Sequence, residues 1–158
     1  MKLKGTVYLV GAGPGDAGLL TLRAAELLAR ADVLVHDAQV NPEILRLAPE
    51  SAERITTGAD ANRPAFSPAG LSHLLITRAR AGKTVVRLMA DDPYFFGSGG
   101  EEAEHLANAH IPFEVVPGIA SRGAAPNHAG VPLTHRGIAS QLTLVHAWEY
   151  TPQPAAGI

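Results

Sequence analysis

The chain contains no cysteine, an absence that excludes disulfides, thiolate metal sites and cysteine nucleophiles together. Charge is sparse: charged residues make up 18% of the 158 and the formal net charge is −2. The basic residues are scattered rather than striped, so the footprint that a phosphate backbone requires is missing and no nucleic-acid partner is expected. The four Phe and one Trp are too dispersed to form a stacking platform for bases. Long apolar runs are lacking as well. The first of them, Val7 to Val10, stops at Gly11, too short for a signal peptide or a membrane span. The expectation is a cytoplasmic protein with no membrane partner.

What is present suits a folded domain. Hydrophobic residues reach 46%, far from the composition of disordered chains, and a chain of this length buries roughly 70% of its unfolded surface. Thr6 to Val10 reads as a buried strand ending in the turn cluster Gly11-Ala12-Gly13-Pro14-Gly15-Asp16. A helix capped by Thr21 follows, with Leu22, Ala25, Leu28 and Ala29 on one face. Val33 to His36 is a second strand that Asp37 closes, Pro42 to Leu47 a brief helix, and Glu53 to Thr57 a third strand. Residues 58 to 64 have the composition of an exposed loop. Ser67-Pro68 starts a helix that Gly82 ends, and Thr84 to Met89 is the fourth strand. Ser98 and Glu101 fit a capping box for a helix reaching about Ala109. Phe113 to Val116, a helix over Ala120 to Ala125 and a last strand over Leu142 to Val145 complete the pattern. Alternating strands and short-linked helices predict an α/β fold, a mainly parallel sheet with helices on both faces. Ligands bind such sheets beyond the carboxyl ends of the strands, where the loops at Gly11, Asp37 and Ala90 fall. Residues 1–147 are expected to form this domain, and 148–158 a tail or the start of a linker to an absent second domain.

The glycine cluster invites a nicotinamide-dinucleotide interpretation, but its spacing fails. Position 16 is Asp where a third glycine should open the helix, and Pro14 has no N–H to offer. Asp37 ends its strand in an apolar context that suits proton transfer, although a turn or cap aspartate is the commoner case. Asp91 and Asp92 resemble a divalent-metal pair, but no histidine stands at ligand spacing nearby, and none of the seven histidines forms an H-x-x-x-H pattern. No metal is expected.

Taken together, several words resemble the tetrapyrrole (corrin/porphyrin) methylase family, in particular its uroporphyrinogen-III C-methyltransferases. They are Val7 to Asp16 with Leu19-Leu20-Thr21-Leu22, Ala31-Asp32-Val33 leading to Asp37, and Asp92-Pro93 with Gly97 and Gly99-Gly100-Glu101-Glu102. Further on come Ile111 to Ile119 and Gly130 to Arg136. The resemblance covers nearly the whole chain in order. It implies the N-terminal domain of a two-domain, usually homodimeric enzyme that transfers methyl groups from S-adenosylmethionine to ring carbons of uroporphyrinogen III, giving precorrin-2 toward sirohaem and cobalamin, with S-adenosylhomocysteine as product. It further implies that Pro14, Ala90, Asp91, Asp92, Phe95, Ala120 and Ser121 contact the cofactor and that Asp37 accepts a proton.

The chain also departs from the family pattern. The usual Arg-Leu-Val after the aspartate is Ala38-Gln39-Val40, and Gly-Lys-Arg is Gly58-Ala59-Asp60. Lys-Gly-Gly-Asp is Met89-Ala90-Asp91-Asp92, Gly-Arg-Gly-Gly is Gly97 to Gly100 with Ser98, and Pro-Gly-Ile-Thr ends in Ala120. Basic and tight-turn residues are the ones lost, so a polycarboxylate substrate is expected to bind less well. A non-catalytic binding or assembly module that kept the fold is the alternative, and self-association through an exposed apolar face is expected.

Overall fold

The computed structural model describes residues 5–58 and 65–145. Its five strands are β1 (Val7–Gly11), β2 (Val33–His36), β3 (Glu53–Thr56), β4 (Val85–Met89) and β5 (Phe113–Val116). They form one sheet in the order β3-β2-β4-β1-β5, and every pairing is parallel. The helices are α1 (Leu22–Leu28), α2 (Pro42–Leu45), α3 (Pro68–Arg80), α4 (Gly99–Asn108) and α5 (Ser121–His128). The expected α/β class holds, with a sheet wholly parallel rather than mainly so.

Strand side chains alternate between faces, and helices cover both. Ala24, Leu27 and Leu28 of α1 and Ile44 of α2 pack with Val10, Leu34, Val86 and Leu88. On the opposite face Leu71, Leu75 and Ala79 of α3 and Ala103 and Leu106 of α4 meet Leu9, Val33, Val35 and Val85. Burial on both sides explains why β4 is buried at every position. Arg87 is the exception to its apolar composition, placed beside Leu9 and Val35 in the middle of the α3 and α4 face.

The helix starts follow the sequence. Thr21 accepts from the Ala24 N–H and Ser67 from the Gly70 N–H, each satisfying an otherwise unpaired first-turn donor. Gly82, at φ 84°, closes α3 in the left-handed conformation that glycine adopts freely.

Four expectations need correction. Leu22 is 86% exposed, because the buried stripe of α1 is Ala24, Leu27 and Leu28 rather than the Leu22, Ala25 and Ala29 row. Ser98 makes no cap hydrogen bond to backbone; its φ of −82° and ψ of 2° are not the extended geometry a capping side chain needs, and its hydroxyl donates to Glu102 instead. Helix α5 runs on to His128 with Pro126 inside it. Leu142 to Val145 form no strand: strand propensity expresses itself only against a partner, these residues pair with neither edge strand, β3 or β5, and Leu142 and Val145 stay exposed. The expected tail at 148–158 and most of the 58 to 64 loop lie outside the described residues.

Arg78 near the end of α3 grips Glu53 at the start of β3 with bonds of 2.8 and 2.6 Å. The hydrogen bonds from Arg78 hold the Glu53 carboxyl below its ordinary value of 4.5. The folded state therefore binds fewer protons here than the unfolded chain, so this contribution is fully present above pH 4.5 and lost as pH falls through the lowered folded value. The pair is largely exposed, which keeps the effect small. Glu53→Gln is expected to lower Tm slightly at pH 7 and by less as pH falls below 4.5, as read by thermal melts at pH 7 and pH 3.

Candidate functional site

Strands β1 and β4 are neighbours, yet the chain leaves them in opposite directions: β1 leads toward β2 on one side and β4 to β5 at the far edge. The crevice at their carboxyl ends is where a sheet of this topology admits a ligand. Two loops flank it, residues 11–16 after β1 and 90–97 after β4. They are laced together by backbone: the Ala12 N–H donates to Met89 O at 2.8 Å, Gly13 N–H to Asp91 O at 3.1 Å, and Asp91 N–H to Gly13 O at 3.2 Å. Gly13 sits at φ 74°, a conformation costly for a residue with a Cβ.

Between these loops lies a cavity of about 370 Å³. Its walls are residues 12–15, the loop 39–41 after β2, Ile44 of α2, Ala90, Asp91 and Ser121. Asn41 fixes one corner by donating to Gly15 O at 2.8 Å while its own side-chain oxygen caps α2. Asp91 is held at φ 71°. One of its carboxylate oxygens accepts from the Ser121 N–H, and the other accepts from the Ser121 hydroxyl at 2.7 Å with the Arg122 guanidinium at 3.5 Å.

Of the residues singled out from sequence, Pro14, Ala90, Asp91 and Ser121 line this cavity. Asp92, Phe95 and Ala120 are not among its lining residues. Asp92 accepts from the Tyr94 and Gly118 N–H groups at 2.9 Å each, tying the β4 loop to the exit of β5. Phe95 packs edge-on against Phe96, and the Arg122 guanidinium lies 4.8 Å from the Phe96 ring centre, within reach of a cation–π attraction. Ala120 is the N-cap position of α5. Gln39 and Val40 belong to the loop after β2 that the sequence places at this end of the sheet, whereas Asn41 and Ile44 lie beyond it; the Asn41-Pro42 helix start is the signal that could have placed them.

Asp37 is not in the apolar setting its sequence context suggested. Its Oδ1 accepts an ion pair from Arg87 at 2.7 Å and a hydrogen bond from the Thr57 hydroxyl at 3.1 Å. Its Oδ2 accepts from the Ala90 N–H at 2.9 Å, so the carboxylate anchors the cavity's β4 wall directly. Arg87 is 3% exposed and also contacts buried Glu102 at 3.2 Å, which in turn accepts from the Ser98 hydroxyl at 3.0 Å. One buried guanidinium thus links a carboxylate under α4 to the one at the crevice. Sequence reasoning missed Arg87 and Glu102, though a lone arginine inside Val85-Val86-Arg87-Leu88-Met89 is a legible anomaly. A smaller cavity of about 190 Å³ lies between α3 and α4, lined by Ser72, Arg87, Glu102 and His105 among others.

Among the described residues no group of three or more His, Asp or Glu side chains converges as metal ligands, and no helix is long and apolar enough to cross a membrane. A parallel sheet with a glycine-rich crevice at its topological switch is the architecture in which α/β domains form small-molecule sites. Residues 6–156 match the family model of the Tetrapyrrole (Corrin/Porphyrin) Methylases, and the chain belongs to that family. It is 50% identical over 143 residues to siroheme synthase of Nitrosospira multiformis, covering 90% of this chain and 30% of the relative. The structure of uroporphyrin-III-C-methyltransferase from Thermus thermophilus superposes with a TM-score of 0.74 at 46% identity, covering 84% of this chain and 56% of the other. A structure of that enzyme complexed with S-adenyl homocysteine superposes with a TM-score of 0.71 at 45% identity, covering 87% of this chain and 53% of the other. The chain therefore spans under a third of the siroheme synthase and just over half of the structural relatives.

Proposed function

We propose that this domain supplies one wall of the cofactor cleft of an S-adenosylmethionine-dependent methyltransferase acting on a tetrapyrrole of the uroporphyrinogen III type, in the cytoplasm and as a homodimer. One observation carries the proposal: the cavity at the β1–β4 switch gathers Pro14, Ala90, Asp91 and Ser121, four of the residues that the resemblance assigns to the cofactor. Its volume of about 370 Å³ falls in the range of small-molecule sites, and the loop at Gly13 lets a ligand approach backbone closely. The residues fit a half-site, with the remainder of the cleft contributed from outside these walls. The exposed side chains of Val131, Ile138 and Val145 are the apolar surface through which the homodimer would form.

When bound, S-adenosylmethionine supplies an electrophilic methyl group on a cationic sulfur. The chain's own residues hold and orient. Asn41 and the paired loops fix the walls, while Asp92 and Ala120 set the path of the backbone beside them. Asp37 is the proton acceptor for the substrate carbon. A carboxylate offers about four acceptor positions, and Arg87, Thr57 and Ala90 fill three of them. Among the described residues Oδ2, the oxygen at the Ala90 wall, has one partner against two on Oδ1, so the proton is received there. The same crowding favours a second role, in which Asp37 is chiefly an anchor for Ala90 and the domain binds without catalysing.

Isotope-labelled amide spectra recorded during titration with S-adenosylhomocysteine test the site. Resonances of Gly13, Gly15, Ala90 and Ser121 are expected to move, while those of Ser72 and His105 at the smaller cavity stay. Asp37→Asn separates the two roles. Loss of uroporphyrinogen III methylation by a factor of about 10² to 10⁴ with unchanged S-adenosylhomocysteine binding supports the proton acceptor, and unchanged activity leaves only the anchor.

A further inference from the structure

Two departures from the family pattern meet at one point in the fold. Where that pattern has glycine the chain has Asp91, and where it has threonine the chain has Ala120. Ala120 is the N-cap position of α5 and makes no side-chain cap bond; a threonine there could have accepted from the first-turn amides, as Thr21 does at α1. Asp91, reaching across from the β4 loop, takes over that task. Its carboxylate accepts from the Ser121 N–H and hydroxyl and draws Arg122 to 3.5 Å. Its φ of 71° explains why glycine suits the position and why Asp, which tolerates the left-handed region better than most residues, can replace it.

The substitution has a consequence for binding, because Asp91 and Ser121 both line the cavity of about 370 Å³. We propose that Asp91 is a specificity-determining residue: its carboxylate occupies the polar donors of the α5 wall and places a fixed negative charge in the cavity, disfavouring ligands that bring a carboxylate of their own. The proposal presupposes that the cavity takes S-adenosylmethionine-type cofactors, whose amino-acid end carries such a carboxylate. Two carboxylates near one set of donors leave one of them unpaired and repelled. Arg122 offsets the charge only in part, since its side chain is 34% exposed and also lies over Phe96.

The probes are S-adenosylhomocysteine and 5′-methylthioadenosine, which share the thioadenosine part and differ in the amino-acid carboxylate. Each is titrated by calorimetry into the full chain, into Asp91→Gly, and into Asp91→Gly/Ala120→Thr, whose restored cap guards against loss of α5. Asp91→Gly alone is expected to lower Tm by about 3 °C through the lost cap, and the double variant to recover it. Both variants are expected to bind S-adenosylhomocysteine at least tenfold more tightly than the parent, with methylthioadenosine within twofold. Asp91→Asn, which keeps the backbone tolerance and removes the charge, is expected to fall between. Equal gains for both probes would show that Asp91 acts by bulk, and no gain for either would show that it does not select at all; each result overturns the proposal. If neither probe binds any variant, the cofactor assignment of the cavity fails and the proposal with it, a result distinct from the other two.

Discussion

Arg87→Met is expected to destabilise the domain by about 3–5 kcal/mol, the cost of leaving a buried charge without its partner. Arg87 and the Glu102 side chain are 3% and 5% exposed and lie 3.2 Å apart under α4. Removing the guanidinium leaves the buried Glu102 carboxyl, among the described residues, with the Ser98 hydroxyl as its side-chain partner. It also frees Asp37 from its 2.7 Å ion pair, so the Ala90 wall loosens with the core. For a domain of this size the loss corresponds to a Tm lower by roughly 10 °C. Arg87→Met/Glu102→Leu is expected to regain at least half of it, because a buried pair replaced by apolar groups is often neutral. Denaturant melts of the two variants measure both quantities. A loss under about 1 kcal/mol for Arg87→Met would mean that the ion network adds little to the fold.

The second large effect belongs to Gly11, the last residue of β1. A Cβ there would stand 2.5 Å from the Gly118 nitrogen and 2.7 Å from the Asp91 carbonyl oxygen. Both are backbone atoms of segments that frame the cavity, and neither can step aside as a flexible side chain would. Gly11→Ala is therefore expected to push the β4 loop and the approach to α5 away from β1. Overpacking of this kind costs about 1–3 kcal/mol. The binding consequence is larger, because the Gly13–Asp91 backbone pairing at 3.1 and 3.2 Å sets the distance between the cavity walls. S-adenosylhomocysteine affinity is expected to fall more than tenfold, measured by calorimetry alongside a melt showing the variant still folded.

The sheet was legible because its signals are local. The apolar runs at Val7, Val33 and Val85 and the punctuation at Thr21, Ser67 and Gly82 announce strands, caps and stops without reference to the rest of the chain. The errors arose where the outcome depends on a partner elsewhere. Leu142 to Val145 have strand composition but pair with neither edge strand, and Ser98 has capping chemistry but a hydroxyl given to Glu102. The crevice could be anticipated as the place where loops after β1, β2 and β4 converge, and Pro14, Ala90, Asp91 and Ser121 fell into it. The end of an apolar strand suggests an apolar setting for Asp37. The groups that hold it, Arg87 and Thr57, come from β4 and from the residue just past β3, and sequence adjacency carries no trace of them. Asp91 shows the same limit: its loss of glycine was visible, whereas its capping of α5 required the fold.

Calorimetric titration of the chain with S-adenosylhomocysteine decides whether the β1–β4 crevice is, as proposed, a cofactor half-site of the tetrapyrrole methylase type. Dissociation constants on the order of 10 μM, about −7 kcal/mol, with tighter binding by Asp91→Gly, are expected of such a half-site. Absence of heat up to about 1 mM ligand, where affinity has dropped to about −4 kcal/mol, in both the parent chain and Asp91→Gly would contradict it.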